Sequence, residues 1–266
     1  EDMYEEIARI YGYDKIPFTL PEGEQTRGRL TDYQKQRHIV RDVLEGAGLN
    51  EAITYSLTNE EKYGQFALNQ SEPIRLMMPM SEEHAQLRIS LIPHLLDAVS
   101  YNQARKNNDV FLYEIGSIFI KQGDNVQPKE VEHVAGVLTG LYVNHPWQGE
   151  KVPVDFYTVK GILENLFAKL SLDHKITFIK AEIDGMHPGQ TAKILLEDEV
   201  VGFVGKIHPE REKAYDVKNV FAFELNLEML LSRELPESTY KPIPRFPAIS
   251  RYIALIVDQA QESAEL

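Results

Sequence analysis

The sequence predicts an α+β fold in which a few long helices flank an antiparallel sheet. Strand-like segments rich in β-branched and aromatic residues, such as 110–120 and 133–139, are bounded by turn residues. Long helical segments interrupt them at 32–47, 90–106 and 155–170, where apolar residues recur every three or four positions. Because strands follow one another through short turns, an antiparallel sheet is favoured over a doubly wound parallel one.

The first half of the chain contains well-marked helix boundaries. Thr31 and Gln34 form a capping-box pair, and Ser90 precedes a helix that tolerates Pro93 in its first turn. Gly12 is a typical helix end. The predicted elements, in order, are helix 1–11, linker 13–29, helix 32–47, strand 52–57, a short helix from 58, strand 74–78, helix 90–106 and strand 109–120.

The second half continues in the same style and ends in a proline-rich segment. Four prolines lie between residues 234 and 247, a composition typical of a linker. The predicted elements, in order, are strand 133–139, helix 155–170, strand 175–181, a hairpin of 192–197 and 200–207, strand 220–226, helix 227–232, linker 234–247 and strand 249–258.

Charge and composition narrow the class of protein. The chain has 266 residues, with 28 Lys and Arg against 41 Asp and Glu, so its formal net charge is -13. This balance argues against a surface that coats nucleic acid generally, since phosphate contacts need clustered basic residues. Apolar residues make up 43%, enough for a buried core, and the absence of Cys excludes disulfides and thiolate chemistry. The sequence has no run of 18 apolar residues that could span a membrane, and it does not open with the pattern of a secretory signal, so we expect a cytoplasmic protein.

The common catalytic signatures are absent from the sequence. There is no phosphate-binding P-loop, no Gly-x-Gly-x-x-Gly, no Gly-x-Ser-x-Gly and no His-Glu-x-x-His. His187 and His208 precede Pro in predicted turns, where we expect structural roles. The basic clusters at 35–41 and 105–106 lie on polar helix faces and are expected to be solvated. We therefore predict no catalytic residue and no cofactor-binding residue.

Three carboxylates near the start of the chain are the candidate metal ligands. Asp2, Glu5 and Glu6 are spaced so that they meet on one face of the first helix. Carboxylate oxygens are the donors that a hard cation such as Mg²⁺ prefers. From spacing alone, a solvated acidic first turn favoured by the helix dipole is the simpler interpretation.

Four separated strings resemble, in order, the β subunit of bacterial phenylalanyl-tRNA synthetase. Residues 2–17, DMYEEIARIYGYDKIP, resemble the end of its small winged-helix-like domain. Residues 87–96, LRISLIPHLL, with strand 110–119, resemble the centre of its synthetase-like domain. The match is completed by HPG at 187–189 with VGFVGKIHP at 201–209, and by RFPAISR at 245–251. The resemblance covers nearly the whole chain.

The resemblance implies a fold and a role. The fold is a class II aminoacyl-tRNA synthetase-like antiparallel sheet flanked by helices, in a non-catalytic copy. This copy pairs with the catalytic α subunit in an α2β2 heterotetramer, and tRNA is bound through the assembled enzyme. The whole enzyme attaches phenylalanine to its tRNA through an adenylate, with ATP as substrate and AMP and pyrophosphate as products.

The resemblance also implies a division of the chain into three regions. Residues 1–20 are the end of the small winged-helix-like domain plus a linker, and residues 21–235 are the synthetase-like core. Residues 236–266 are a linker and the first strand of a ferredoxin-like anticodon-binding domain that begins near Arg245. We expect the sequence to be a fragment, with editing domains upstream of it.

Class II enzymes grip ATP with two arginines, because a guanidinium stays charged and binds phosphate bidentately. Here strand 110–120 is followed by Lys121-Gln122-Gly123-Asp124, and the segment 220–226 carries no arginine. We therefore expect that this chain alone does not activate phenylalanine.

The metal interpretation changes in the light of the resemblance. The family's β subunit shares a Mg²⁺ site with the α subunit, which implies Asp2, Glu5 and Glu6 as ligands here. A further Asp of that site would precede Glu1. The resemblance thus favours the metal role over the solvated turn.

Helix 32–47 is the predicted subunit interface. Its apolar stripe packs on the sheet, while Tyr33, Gln36, Arg37 and Arg41 lie along the flank. The resemblance implies that such helices of the α and β subunits combine into a four-helix bundle.

Two other functions stay open at this point. One is a free-standing synthetase-like paralogue with ATP-dependent ligase activity, which would need phosphate-gripping arginines in the sheet. The other is an assembly module unrelated to tRNA. Co-purification of a second, catalytic chain would separate these hypotheses.

Overall fold

A computed structural model describes residues 1–24, 27–124, 126–231, 240, 242–258 and 261. The chain divides into two compact units, Glu1–Glu234 and Leu235–Leu266. Every helix and strand assigned in the described residues belongs to the first unit. None of the helices in these residues is long and apolar enough to cross a membrane.

Six α-helices and eleven strands are assigned in the described residues. The helices are α1 Asp2–Tyr11, α2 Asp32–Gly46, α3 Ile92–Gln103, α4 Phe156–Lys169, α5 Pro209–Tyr215 and α6 Leu227–Leu231. The strands are β1 Asn50–Glu51, β2 Leu57–Thr58, β3 Gln86–Leu87, β4 Val110–Ile120, β5 Lys129–Thr139, β6 Leu141–His145, β7 Glu150–Pro153, β8 Ile176–Lys180, β9 Met186–Leu196, β10 Glu199–Ile207 and β11 Phe221–Asn226.

Seven strands form the main sheet, in the order β1-β4-β5-β11-β10-β9-β8. The short β1 pairs with β4 in parallel, and the other neighbours are antiparallel. The predicted α+β class with an antiparallel sheet is therefore confirmed. Two small two-stranded sheets, β2-β3 and β6-β7, lie outside it.

Alternate residues of the central strands supply two separate apolar layers, as the two-residue period of a strand requires. On one face, Tyr113, Leu138 and Phe223 pack with the apolar sides of α2, α4 and α6. On the other face, Val137 and Phe203 pack with α3. The sheet is thus covered on both sides.

The capping box predicted for α2 is present. The Thr31 hydroxyl accepts a hydrogen bond from the backbone N–H of Gln34 at 3.2 Å, and the Gln34 side chain accepts one from the Thr31 N–H at 2.9 Å. Two of the helix's otherwise unpaired donors are thereby satisfied. The helix begins where the sequence predicts it.

The predicted strand 52–57 is wrong. Ala52 still donates its N–H to the Tyr113 carbonyl at 2.7 Å, but Ile53 is 92% exposed and only residues 57–58 regain strand geometry. The reason lies in Thr54, whose hydroxyl bonds side chains on the sheet face and draws the segment off the β4 edge.

The predicted short helix from residue 58 is also wrong, because it stops after one turn. Tyr63 donates to the Asn59 carbonyl, but Gly64 and Phe66 have positive φ values of 80° and 60°. A helix cannot continue through such residues. The first turn of a helix is costly to form, and only further turns offset that cost. Because no further turn can follow here, the segment remains a set of turns.

The predicted strand 74–78 is reduced to one isolated bridge between Arg75 and Gln86. The strand predicted at 249–258 is not observed either, and these residues are almost entirely exposed. A strand needs a hydrogen-bonding neighbour. Within the described residues of the second unit there is none.

Two predicted turns are parts of regular elements. His187 lies in β9, next to an irregularity in its pairing with β10. His208 is the N-cap of α5, and Pro209 occupies its first position, where the missing N–H costs nothing. Both histidine side chains have the structural role that we expected, since each Nδ1 accepts a backbone N–H two residues ahead, at 3.1 Å and 3.2 Å.

Candidate functional site

The face of the sheet under α3 carries buried polar side chains at its centre. Glu114 of β4 and Glu224 of β11 both pair with Ala135 of β5, so the two carboxylates lie in one row across three strands. His133 lies two residues along β5 on the same face. All three polar side chains are at most 4% exposed. Burial of this degree requires that each finds a partner.

Glu114 is neutralised by a buried arginine from outside the sheet. Arg88 approaches Glu114 to 2.8 Å and also donates to the Thr54 hydroxyl at 2.8 Å and to the Ser117 carbonyl at 3.0 Å. The Thr54 hydroxyl donates to the second carboxylate oxygen at 2.7 Å. The guanidinium therefore anchors the segment between β3 and α3 to the sheet.

Gly116 makes this approach possible. A Cβ atom at this position would lie 2.4 Å from a terminal nitrogen of Arg88 and 3.0 Å from Glu114 Oε1. Real Cβ atoms are not found at the shorter distance. A side chain at this position would therefore displace the Arg88 guanidinium from its present place beside Glu114.

Glu224 holds the N-terminus of α3. Its carboxylate accepts hydrogen bonds from the Ser90 hydroxyl at 2.7 Å and from the Leu91 N–H at 3.2 Å, and it contacts His133 Nδ1 at 2.8 Å. A negative charge at a helix N-terminus is favoured by unpaired N–H groups and by the helix dipole. The hydroxyl of Ser90, the predicted cap of this helix, also accepts the N–H of Ile92 at 3.2 Å.

Together these contacts close the sheet face. The carboxylates of the row bond to groups of the chain itself, and α3 covers them. After β4, Lys121 contacts Glu72 and Asp124, each at 2.8 Å. Hydrogen bonds from Lys121 to these carboxylates hold the pKa of its ammonium above the usual range. Lys121, the first residue after β4, is therefore already paired within the chain.

The predicted metal ligands lie on α1, a helix in which no residue is buried. Asp2 and Glu5 are exposed, and Glu6 accepts a hydrogen bond from Arg9 Nε at 3.0 Å. No group of three or more Asp, Glu, His or Cys side chains is arranged to hold a metal within the described residues. The three carboxylates have suitable donor chemistry, but this chain by itself does not gather them around one point.

The other side of α1 is apolar and equally uncovered. Met3, Tyr4, Ile7, Ile10 and Tyr11 are between 58% and 79% exposed. An apolar stripe on a helix normally packs against something. The sequence predicts the amphipathic pattern, but not that the chain itself leaves it unpacked.

The flank of α2 is more strongly tied to the sheet than predicted. Arg37 Nε donates to Glu132 at 3.0 Å, and the Tyr33 hydroxyl donates to the same carboxylate. Burial and this hydrogen bond raise the pKa of Tyr33. Arg41 donates to Glu51 at 2.8 Å. These arginines are therefore engaged within the chain.

Gln36 does not lie on the flank but is buried, with 6% of its surface exposed. The exposed face of α2 is formed by other residues. They are Asp32, Gln34, Lys35, His38, Asp42 and Glu45. This face is wholly polar.

A groove of about 770 Å³ runs between α2 and α4. Its lining includes Ile39, Val43, Ala47, Tyr157, Gly161 and Ile162. Gly161 stands in the middle of α4, and a Cβ atom added there would meet nothing within 4 Å. The lining also includes the polar or charged residues Asp42, Tyr142, Thr158, Asn165 and Lys169, so the groove has a mixed surface between the two helices.

Comparisons with known proteins show the family to which the sequence belongs. Residues 16–227 match the family described as "Phenylalanyl tRNA synthetase beta chain CLM domain". The chain is 53% identical over 268 residues to a phenylalanine--tRNA ligase beta subunit of Bacillus cereus. It is 54% identical to that of Geobacillus kaustophilus and 52% identical to one of Staphylococcus aureus. Each comparison covers 100% of this chain, which spans 33% of the relative's length.

A solved structure has a similar fold at low sequence identity. Pyrrolysyl-tRNA synthetase from Desulfitobacterium hafniense superposes with a TM-score of 0.55 at 10% identity. The superposition covers 75% of this chain and 68% of that one. At this identity the likeness bears on the fold alone.

Proposed function

The chain belongs to the phenylalanyl-tRNA synthetase β chain family, and from this premise we propose that it is a structural partner of the catalytic α subunit. The sheet is then a non-catalytic copy of the class II synthetase fold. The whole enzyme, an α2β2 heterotetramer in the cytoplasm, attaches phenylalanine to tRNA with ATP as substrate. The name of the relatives, which is that of a beta subunit, supports the existence of a partner.

The observation that carries the proposal is the closed sheet face. A nucleotide needs an open cavity with cations aimed into it. Here Arg88 is bound to Glu114, and Ser90 and Leu91 lie on Glu224 at hydrogen-bond distance. The central carboxylates therefore stabilise the fold instead of contacting a substrate.

The test is the activity of each full-length subunit by itself. We expect no phenylalanine-dependent ATP–pyrophosphate exchange by the β subunit alone, and exchange when the α subunit is present. Exchange by pure β subunit would instead favour the free-standing ligase. A stable α–β complex without any aminoacylation of tRNA would favour the assembly module unrelated to tRNA.

The proposal includes a Mg²⁺ site that Asp2, Glu5 and Glu6 share with the α subunit. Three carboxylates spaced three and four positions apart on one helix face repel one another unless a cation lies among them. Because they are not gathered in this chain, further ligands from outside it are needed. When bound, the ion would supply charge neutralisation at the junction of the subunits.

Charge-neutral variants test this site. Replacing Glu5 and Glu6 by Gln should weaken α–β association or remove its dependence on Mg²⁺. Since Glu6→Gln also breaks the contact with Arg9, the variant Arg9→Gln is the matched control and should leave the Mg²⁺ dependence intact. If both variants behave like the parent, the solvated acidic turn is the correct interpretation.

A further inference from the structure

Half of the chain's six methionines lie in one exposed loop, at residues 77–80. Met77, Met78 and Met80 are each at least 90% exposed. Because the chain has no Cys, its methionines carry its only sulfur atoms. Methionine normally fills gaps in apolar cores, where neighbouring side chains cover its thioether. In this loop the thioethers are instead accessible to solvent.

The loop stands on a fixed base. The N–H of Leu76 donates to the Ala85 carbonyl at 2.9 Å, and the N–H of Leu87 donates to the Ile74 carbonyl at 3.0 Å. Residues 77–80 themselves lie in no helix or strand. The loop therefore has a defined place on the surface, while its three thioethers are left uncovered by the described part of the chain.

The other three methionines have different surroundings. Met186 of β9 is 3% exposed and belongs to the apolar layer under α3. Met229 of α6 packs against the opposite apolar layer. Met3 is exposed, but it lies on the apolar stripe of α1. The chain thus contains both exposed and buried thioethers, which can be compared directly.

An exposed thioether reacts with hydrogen peroxide. The sulfur lone pair attacks one peroxide oxygen, so that an S–O bond forms as the O–O bond breaks. The sulfur is oxidised by two electrons to a sulfoxide, and the departing hydroxide takes up the remaining proton and leaves as water. A sulfoxide is polar and disrupts an apolar core. At residues 77–80 the side chains already lie in water, so the same reaction removes no packing.

We propose that Met77, Met78 and Met80 are a site of reversible oxidation by peroxides, where the protein takes up as many as three oxygen atoms without loss of its fold. The reverse reaction is that of the methionine sulfoxide reductases, one for each sulfoxide epimer. Their thiols are oxidised to a disulfide, and the oxygen leaves as water. A loop outside regular structure gives these enzymes access to its side chains.

The neighbours of the loop favour this role over a contact with a protein partner. Methionine is enriched at the cores of protein interfaces, but charged residues are depleted there. Glu82 and Glu83 follow the loop directly, and both are exposed. A partner that covered the three methionines would therefore also have to cover or pair these carboxylates.

The test is a time course of oxidation in the assembled full-length enzyme. Hydrogen peroxide is added, and peptide mass spectrometry follows the mass of each added oxygen atom. We expect the three loop methionines to react about thirtyfold faster than Met186, which is the ratio of their exposed fractions. Incubation with both sulfoxide reductases should return the loop to its thioether form.

Two variants separate the loop from the rest of the enzyme. The triple variant Met77→Leu, Met78→Leu, Met80→Leu keeps the apolar volume but has no sulfur in the loop, so the fast oxygen uptake should disappear. Met3→Leu is the matched control, since it removes an exposed thioether elsewhere and should leave oxidation of the loop unchanged. After peroxide treatment, the urea midpoint of the parent should fall no further than that of the triple variant.

Three results would overturn the inference. If the loop methionines react no faster than Met186 in the assembled enzyme, a partner covers the loop, and it is a contact surface. If the treated parent loses more urea stability than the treated triple variant, the oxidation is not tolerated. If the sulfoxides persist with both reductases present, the site is not reversible. None of these measurements depends on aminoacylation, so the inference stands or falls separately from the proposed function.

Discussion

The buried pair of Arg88 and Glu114 allows a quantitative test of the closed sheet face. Arg88→Met removes the cation and leaves a carboxylate at 2% exposure with the Thr54 hydroxyl as its remaining side-chain partner. Breaking a buried pair in this way costs about 3–5 kcal/mol. A typical domain has a free energy of unfolding of about 5–15 kcal/mol, so this single change should be severe.

Replacing both partners should cost much less than the sum of the two single changes. The double variant Arg88→Met with Glu114→Leu removes both charges of this pair, and such apolar replacements are often neutral or stabilising. Here the Ser117 and Tyr55 carbonyls lose donors, so we expect a net loss of about 1–2 kcal/mol. The coupling free energy should then be at least about 2 kcal/mol.

Urea unfolding followed by circular dichroism measures these differences. Arg75→Met is the control, because Arg75 forms an exposed pair with Glu60 at 2.6 Å, for which a loss of at most about 1 kcal/mol is expected. If Arg88→Met costs no more than Arg75→Met, or if the double variant loses the full sum, then the pair does not hold the segment 88–91 on the sheet.

Three further predictions concern α2, α3 and α4. Gly161→Ala should stabilise the chain by about 0.5–1 kcal/mol, because the methyl group enters open space, yet weaken α–β association if a partner helix lies in the groove; sedimentation of the assembly measures the second effect. Reversing the charge of Arg37 should destabilise the chain by about 1 kcal/mol through repulsion from Glu132, which would confuse a loss of assembly with a loss of stability. A charge change at exposed Asp42 is therefore the better test of the interface, with co-purification as the measurement. Burial lowers the pKa of His94 from 6.5 to about 4, so between these pH values the imidazole is protonated in the unfolded chain but not in the folded one. The free energy of unfolding should therefore fall by up to about 3 kcal/mol as the pH drops from 6.5 to 4. His94→Leu should abolish this pH dependence in urea titrations.

The helices are predictable because their signals are local. The capping pair Thr31 and Gln34 and the apolar stripe of α2 depend on residues at most four positions apart. The same holds for α4, where the Asp155 side chain accepts the Thr158 N–H at 2.7 Å. Where the local sequence pattern and the tertiary contacts favour the same element, the sequence alone is sufficient to predict that element.

Segment 52–90 is poorly predicted because distant contacts determine its path. Thr54 and Arg88 both contact Glu114, which is 60 positions from Thr54 and 26 positions from Arg88. No local sequence pattern predicts contacts over such separations. The hairpin β6-β7 is missed because its strands lack a regular alternation of apolar residues. One signal is available but unused: Glu224 is the one charged residue of the otherwise largely apolar strand β11, which indicates a buried partner.

The helix α1 receives little packing from the other described residues. It has 10 residues, and an isolated helix of that length is marginal in water. Its apolar stripe is exposed, and its acidic residues do not gather a metal. Neither of its faces therefore receives stabilisation from the chain as described. A partner that covers Met3, Ile7 and Ile10, and a cation held by Asp2 and Glu5 on the opposite side of the helix, would supply these two interactions, which is why we propose that both sides of α1 are covered in the assembled enzyme.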